Sequence, residues 1–100
     1  AKYNSLKAEL YPKAADAYYT KGKSDFLSKN MTEAKTDLET ALKYASNENF
    51  VDDIYYYLGQ IAEGEKDTAS AKKYYNKIIS DYPDSNQIGN ARNALEGLKE

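Results

Sequence analysis

One hundred residues, 41% hydrophobic and 30% charged with a net charge of −2, suffice for a single modest core, and their thirteen lysines and lone Arg92 give no basic field for a phosphate backbone. The absence of cysteine and histidine removes disulfides, thiolate and imidazole metal sites, and the commonest general base. No apolar run approaches the roughly 20 residues needed to span a bilayer, so nucleic-acid binding, direct membrane insertion and a metal cofactor are all excluded as expectations.

In chain order, Lys2–Tyr11 carries Tyr3, Leu6 and Leu10 at helical spacing and is expected to stop at Pro12, which cannot continue the hydrogen-bond ladder. A second helix is predicted over about Ala14–Ser28, followed by a turn at Lys29–Met31. The next helix runs through Ala34, Leu38, Ala41, Leu42 and Ala45 into a loop at Ser46–Phe50. Val51–Gly64 shows a broad apolar stripe of Val51, Ile54, Tyr55, Leu58, Ile61 and Ala62. Asn49 is its expected cap, and Asp52 and Asp53 in the first turn favour the helix dipole. Asp67 or Thr68 caps a helix with Ala71, Tyr74, Tyr75, Ile78 and Ile79, which Pro83 ends. Asp84 or Ser85 then opens a last helix, apolar only along Ile88, Ala91, Leu95 and Leu98, as befits the end of an array.

The chain repeats itself at an offset of 37 residues. Ala17-Tyr18-Tyr19-Thr20-Lys21-Gly22 maps onto Ile54-Tyr55-Tyr56-Tyr57-Leu58-Gly59, and Ala34, Leu38 and Ala41 map onto Ala71, Tyr75 and Ile78. Gly22 and Gly59 have no side chain, and Ala34 and Ala71 have small ones. Their pairing, Gly59 against Ala71, is expected to bring two helices to the short end of the usual separation of roughly 8–10 Å.

In Asp52–Ser85 the residues Tyr55, Leu58, Gly59, Ala62, Ala71, Tyr75, Ile78 and Pro83 resemble the tetratricopeptide repeat. The first copy keeps Tyr18, Gly22, Ala34, Leu38 and Ala41, and departs from the pattern at Lys21, Asp25 and Ser46. The resemblance implies an all-α fold: antiparallel helix pairs stacked as a short right-handed superhelix with a concave ligand face and a C-terminal capping helix. The expected domain plan is a single domain with a partial repeat or helix at 1–12, repeats at 14–46 and 51–84, and a capping helix at 85–100. The Ile-Ile-x-Asp-Tyr-Pro-Asp-Ser run also resembles bacterial envelope-associated members of the family, which leans the localisation toward the envelope and leaves the cytoplasm open. A chain that starts at Ala1 reads as part of a larger protein.

Side chains on the implied concave face are Asp16, Tyr19, Lys23 and Phe26 from the first repeat and Asp53, Tyr56, Gln60 and Glu63 from the second. Successive helical residues are turned by about 100°, so Tyr55 and Tyr57 are expected in the core and Tyr56 on the polar face. Truncation of Tyr56 should therefore spare stability. In the first repeat Thr20, Lys21, Ser24 and Asp25 stand where the second is apolar, so little is expected to pack there. Tyr19 and Phe26 either form an apolar wall for a ligand or are covered by residues 1–11. Of the four groove charges, three are acidic and one basic, which suits a mildly basic or aromatic ligand and not the acidic tails gripped by the carboxylate-clamp branch of the family.

No catalytic constellation is present. Asp52 and Asp53 diverge on their helix, Glu65-Lys66-Asp67 is too short for a calcium loop, and no glycine-rich phosphate loop exists. The expected function is a protein- or peptide-binding scaffold without enzymatic activity or cofactor. The alternatives are a self-associating, homo-oligomeric spacer and a glycan-binding envelope module.

Overall fold

The computed structural model describes residues 2–45 and 50–98, with side chains from Lys13 onward. Five helices follow one another, α1 (Lys2–Leu27), α2 (Met31–Tyr44), α3 (Val51–Gly64), α4 (Thr68–Asp81) and α5 (Ile88–Gly97), and the described residues contain no strand. They fall into two compact units, Ala1–Val51 and Asp52–Glu100. The expected Asn49 cap, most of the 46–50 loop, and the packing of Tyr3, Leu6, Leu10 and Tyr11 lie outside the described residues.

Pro12 does not end a helix. α1 runs through it for 26 residues. Proline here removes one ladder bond, at a cost of about 3 kcal/mol, but Ala14, Ala15 and Ala17 just beyond it are strong helix formers that carry the ladder on.

In the first unit α1 packs on α2. Ala15, Ala34, Leu38 and Ala41 are fully buried. A Cβ on Gly22 would stand 2.7 Å from Leu38 Cγ, so only glycine allows this approach. Tyr18 and Tyr44 stack with ring centroids 6.0 Å apart. The 28–30 turn closes α1 with two bonds, from Lys29 N–H to Phe26 O and from Asn30 N–H to Asp25 O, at 3.0 and 2.8 Å. Lys29 takes φ 67°, the left-handed conformation such a closure requires.

The second unit repeats the device 37 residues on. Lys66 has φ 62°, and the Lys66 and Asp67 N–H groups reach Glu63 O and Ala62 O at 3.0 and 2.9 Å. Asp67 then caps α4, accepting from Ser70 N–H at 3.1 Å. The core of this unit is Ala62, Ala71, Tyr75, Ile78 and Ala91, covered by Ile88, Leu95 and Leu98 among others. Gly59 lies under the ring of Tyr75: a Cβ there would stand 2.5 Å from it. Ala71 and Tyr75 are one turn apart on the same face of α4, and both are fully buried.

α5 is tied to the start of α3 by side chains. The Ser85 hydroxyl donates to Asp52 and accepts from the Gln87 N–H at 2.9 Å. Gln87 Nε2 donates to Asp53 Oδ1 at 2.7 Å. Ser85 thus serves the turn before the helix, while Gln87 occupies the cap position. Asp52 and Asp53 thus do more than favour the helix dipole, since both hold the 85–87 turn.

Candidate functional site

On α1 the candidate residues divide by environment. Asp16 and Lys23 are exposed, while Tyr19 and Phe26 are half-buried. Tyr19 lies flat on Phe50, with centroids 4.6 Å apart and planes within 3°. Phe50 thus contributes to the apolar wall of this unit, a role its place in a loop did not suggest. Whether residues 1–11 cover that wall lies outside the described side chains.

On α3, Asp53, Tyr56, Gln60 and Glu63 follow one another at helical spacing along one stripe, and each is already hydrogen-bonded inside its unit. Asp53 is held by Gln87. The Tyr56 hydroxyl accepts from Gln60 Nε2 at 2.7 Å. Glu63, at the exposed end, accepts from the phenol of fully buried Tyr75. Burial, and then the bond to Glu63, push the Tyr75 phenol far above its usual range. The stripe is therefore preorganised: its polar groups keep their positions without a ligand.

The three consecutive tyrosines differ less than the helical wheel implies. All are half-buried. Tyr55 packs beside Tyr74 and Tyr82, each at 6.2 Å, and Tyr56 beside Tyr75 at 6.0 Å and Tyr57 at 6.4 Å. Tyr55 and Tyr56 both rest on the core of the second unit. Burial, followed by the nearby Asp53 charge, raises the Tyr57 phenol. Tyr56 thus carries packing as well as a polar face, and its truncation must cost stability.

Family comparison matches residues 15–48 and residues 53–85, each to the tetratricopeptide repeat. The chain belongs to the tetratricopeptide-repeat family. No curated protein and no solved structure gives a significant match. Each tetratricopeptide repeat begins with the helix that bears its candidate residues, α1 in one and α3 in the other. Repeats of this family are typically non-catalytic scaffolds that mediate contacts between proteins. Among the described residues no group of three or more acidic side chains could hold a metal ion, and no helix is long and apolar enough to cross a membrane.

Proposed function

We infer that this tetratricopeptide-repeat chain holds a segment of a partner protein, without catalysis, and that the α1 stripe (Asp16, Tyr19, Lys23, Phe26) and the α3 stripe (Asp53, Tyr56, Gln60, Glu63) are its contact residues. The observation that carries the reading is the state of Tyr56. An aromatic ring set among carboxylates and an amide, with its hydroxyl already fixed by Gln60, is the form an interface anchor takes. A fixed anchor loses little conformational freedom on binding. Asp53 and Glu63 give the α3 stripe two negative charges, and a mildly basic or aromatic segment complements them.

A randomised peptide library displayed against the domain tests this. Selected peptides should be enriched in lysine, arginine and aromatic residues. Their affinity should fall at least tenfold, about 1.4 kcal/mol, in Tyr56→Ala, measured at a temperature where both proteins are fully folded. A library that yields acidic tails, or binders indifferent to Tyr56, Gln60 and Glu63 alike, would refute the assignment.

A further inference from the structure

A group of tyrosines in the second unit stands apart from the contact stripe. Tyr55, turned by about 100° from Tyr56 on α3, touches both Tyr74 and Tyr82, each at 6.2 Å, with ring planes tilted by 32° and 43°. All three rings are half-buried. Tyr74, Lys77 and Asp81 share a face of α4, and Tyr82 follows at its end. The Lys77 ammonium bonds the Asp81 carboxylate at 2.8 Å, and their side chains stay 48% and 44% exposed. Ser80 Oγ donates to the other oxygen of Asp81 at 2.9 Å. The bond to Asp81 first, and then its charge and the nearby Tyr55 phenol, raise the Lys77 ammonium above its ordinary range, so the ion pair stands beside the rings.

The hydroxyls distinguish this group from its neighbours. Tyr56 accepts from Gln60, and Tyr75 donates to Glu63. The hydroxyls of Tyr55 and Tyr82 have no hydrogen-bond partner among the described residues, and no buried side-chain oxygen there lacks one, so both open to water. The cluster therefore presents ring surface, two phenols that donate and accept, an ammonium with donors to spare and a carboxylate acceptor, with no net charge.

A matching ligand needs a flat C–H surface for the rings and groups that both donate and accept. A pyranose has both, with C–H bonds on its face and hydroxyls around its rim. An anionic ligand would meet the Asp81 charge at close range. A proline-rich segment brings carbonyl acceptors but little to donate to Asp81, and the touching, tilted rings leave no slot between neighbours for a pyrrolidine ring. The first unit carries a related platform. Tyr18, the twin of Tyr55 at the 37-residue offset, is 37% exposed and stacks on Tyr44 at the end of α2. Ring platforms in both units suit a ligand that is itself a chain of repeating residues.

We propose that the Tyr55–Lys77–Asp81–Tyr82 surface binds a neutral saccharide chain. The rings take the C–H face of a pyranose, Asp81 accepts from the sugar hydroxyls, and Lys77 and the phenols donate to them. This surface is separate from the stripes inferred to hold a protein segment and does not rest on that reading.

Titration of tyrosine-labelled protein with cellotetraose or chitotetraose, followed by the ring resonances, tests this. At least one of the sugars should shift Tyr55 and Tyr82 together, with a Kd on the order of 1–10 mM. Tyr82→Phe keeps the ring and removes a phenol, and Asp81→Asn keeps the shape and removes the charge. Both should stay folded by circular dichroism and bind the sugar about fivefold more weakly, the loss of roughly one hydrogen bond. No shift up to about 50 mM of either sugar, or a shift confined to Tyr19 and Tyr56, overturns the proposal. So does either variant binding as tightly as the parent. A decaproline peptide that moves Tyr55 and Tyr82 where neither sugar does overturns it as well, because the platform then takes a proline-rich segment.

Discussion

The phenol of Tyr75, buried at the centre of the second unit, donates its hydrogen bond to Glu63 at the exposed end of α3. The ring fills the space left by Gly59, and the hydroxyl reaches out to the stripe. Packing and surface chemistry are thus joined in one side chain.

Tyr75→Phe keeps the ring and removes the bond. Glu63 is exposed and regains water, so the cost should be only about 0.5–1.5 kcal/mol. Gly59→Ala attacks the other end. Its added methyl meets the ring, and overpacking should outweigh the gain in helix propensity, with a net loss of about 1–3 kcal/mol. Urea unfolding at constant m separates the two. If Gly59→Ala proved as stable as the parent, the close approach of α3 and α4 at this point would be wrong.

Lys66 sits at φ 62° with its Cβ close to the following carbonyl oxygen. Lys66→Gly relieves that contact and keeps the two closing bonds. The gain should be roughly 0.5–1 kcal/mol, reduced by the extra freedom of glycine in the unfolded chain. Lys29→Gly should act alike in the first unit. A fall in Tm for both would show that the turns do not need the left-handed conformation.

Asp25 titrates below its ordinary value of 3.8 in the folded chain, chiefly through its bond to Lys21. A depressed carboxylate lends stability that is complete above the unfolded value and is lost as pH falls through the folded one. The difference in Tm between the parent and Lys21→Met should therefore be steady near neutrality and shrink below about pH 4. A difference unchanged down to pH 2 would show that the pairing with Lys21 does not govern Asp25.

The tyrosines titrate on the alkaline side. Burial first, then the Glu63 bond, raises Tyr75, while burial followed by neighbouring groups raises Tyr57 and Tyr82. A phenol raised on folding lends stability that is full below the ordinary value of 10.0 and is lost as pH rises through the folded one. Phenolate absorbance of the native protein should lag behind that of the urea-unfolded chain above pH 10, and Tyr75→Phe should lessen the lag. Coincident titration curves would place these rings in water.

Helix identity was legible in the sequence because apolar spacing, Asp67 and Pro83 mark the ends of α4 locally. The continuity of α1 was not, since Pro12 signals a break and only the helix formers beyond it override that signal. Nor was the close approach of the Tyr75 ring to Gly59 legible, because facing register depends on how two helices cross. At the candidate site, the stripe Asp53, Tyr56, Gln60, Glu63 followed from periodicity. Its internal bonds did not, since Gln87 and Tyr75 come from helix ends and faces whose approach no local pattern encodes. The left-handed lysines were invisible for a simpler reason: lysine has no preference for that conformation.

Ser85 is a clasp with two catches, one on Asp52 and one on the Gln87 amide, and Gln87 adds a third on Asp53. The C-terminal helix cannot swing away without breaking its ties to Asp52 and Asp53 in the first turn of α3, which that loss should loosen. Opening of the two should thus be a single event in time, seen as a shared rate of deuterium uptake by the amides of α5 and of residues 54–57, whose N–H groups close the first turn of α3. A protease cutting between Tyr82 and Ile88 would reach its bond only during such openings. The rate of nicking would therefore time the fraying of α3, a helix the protease never touches.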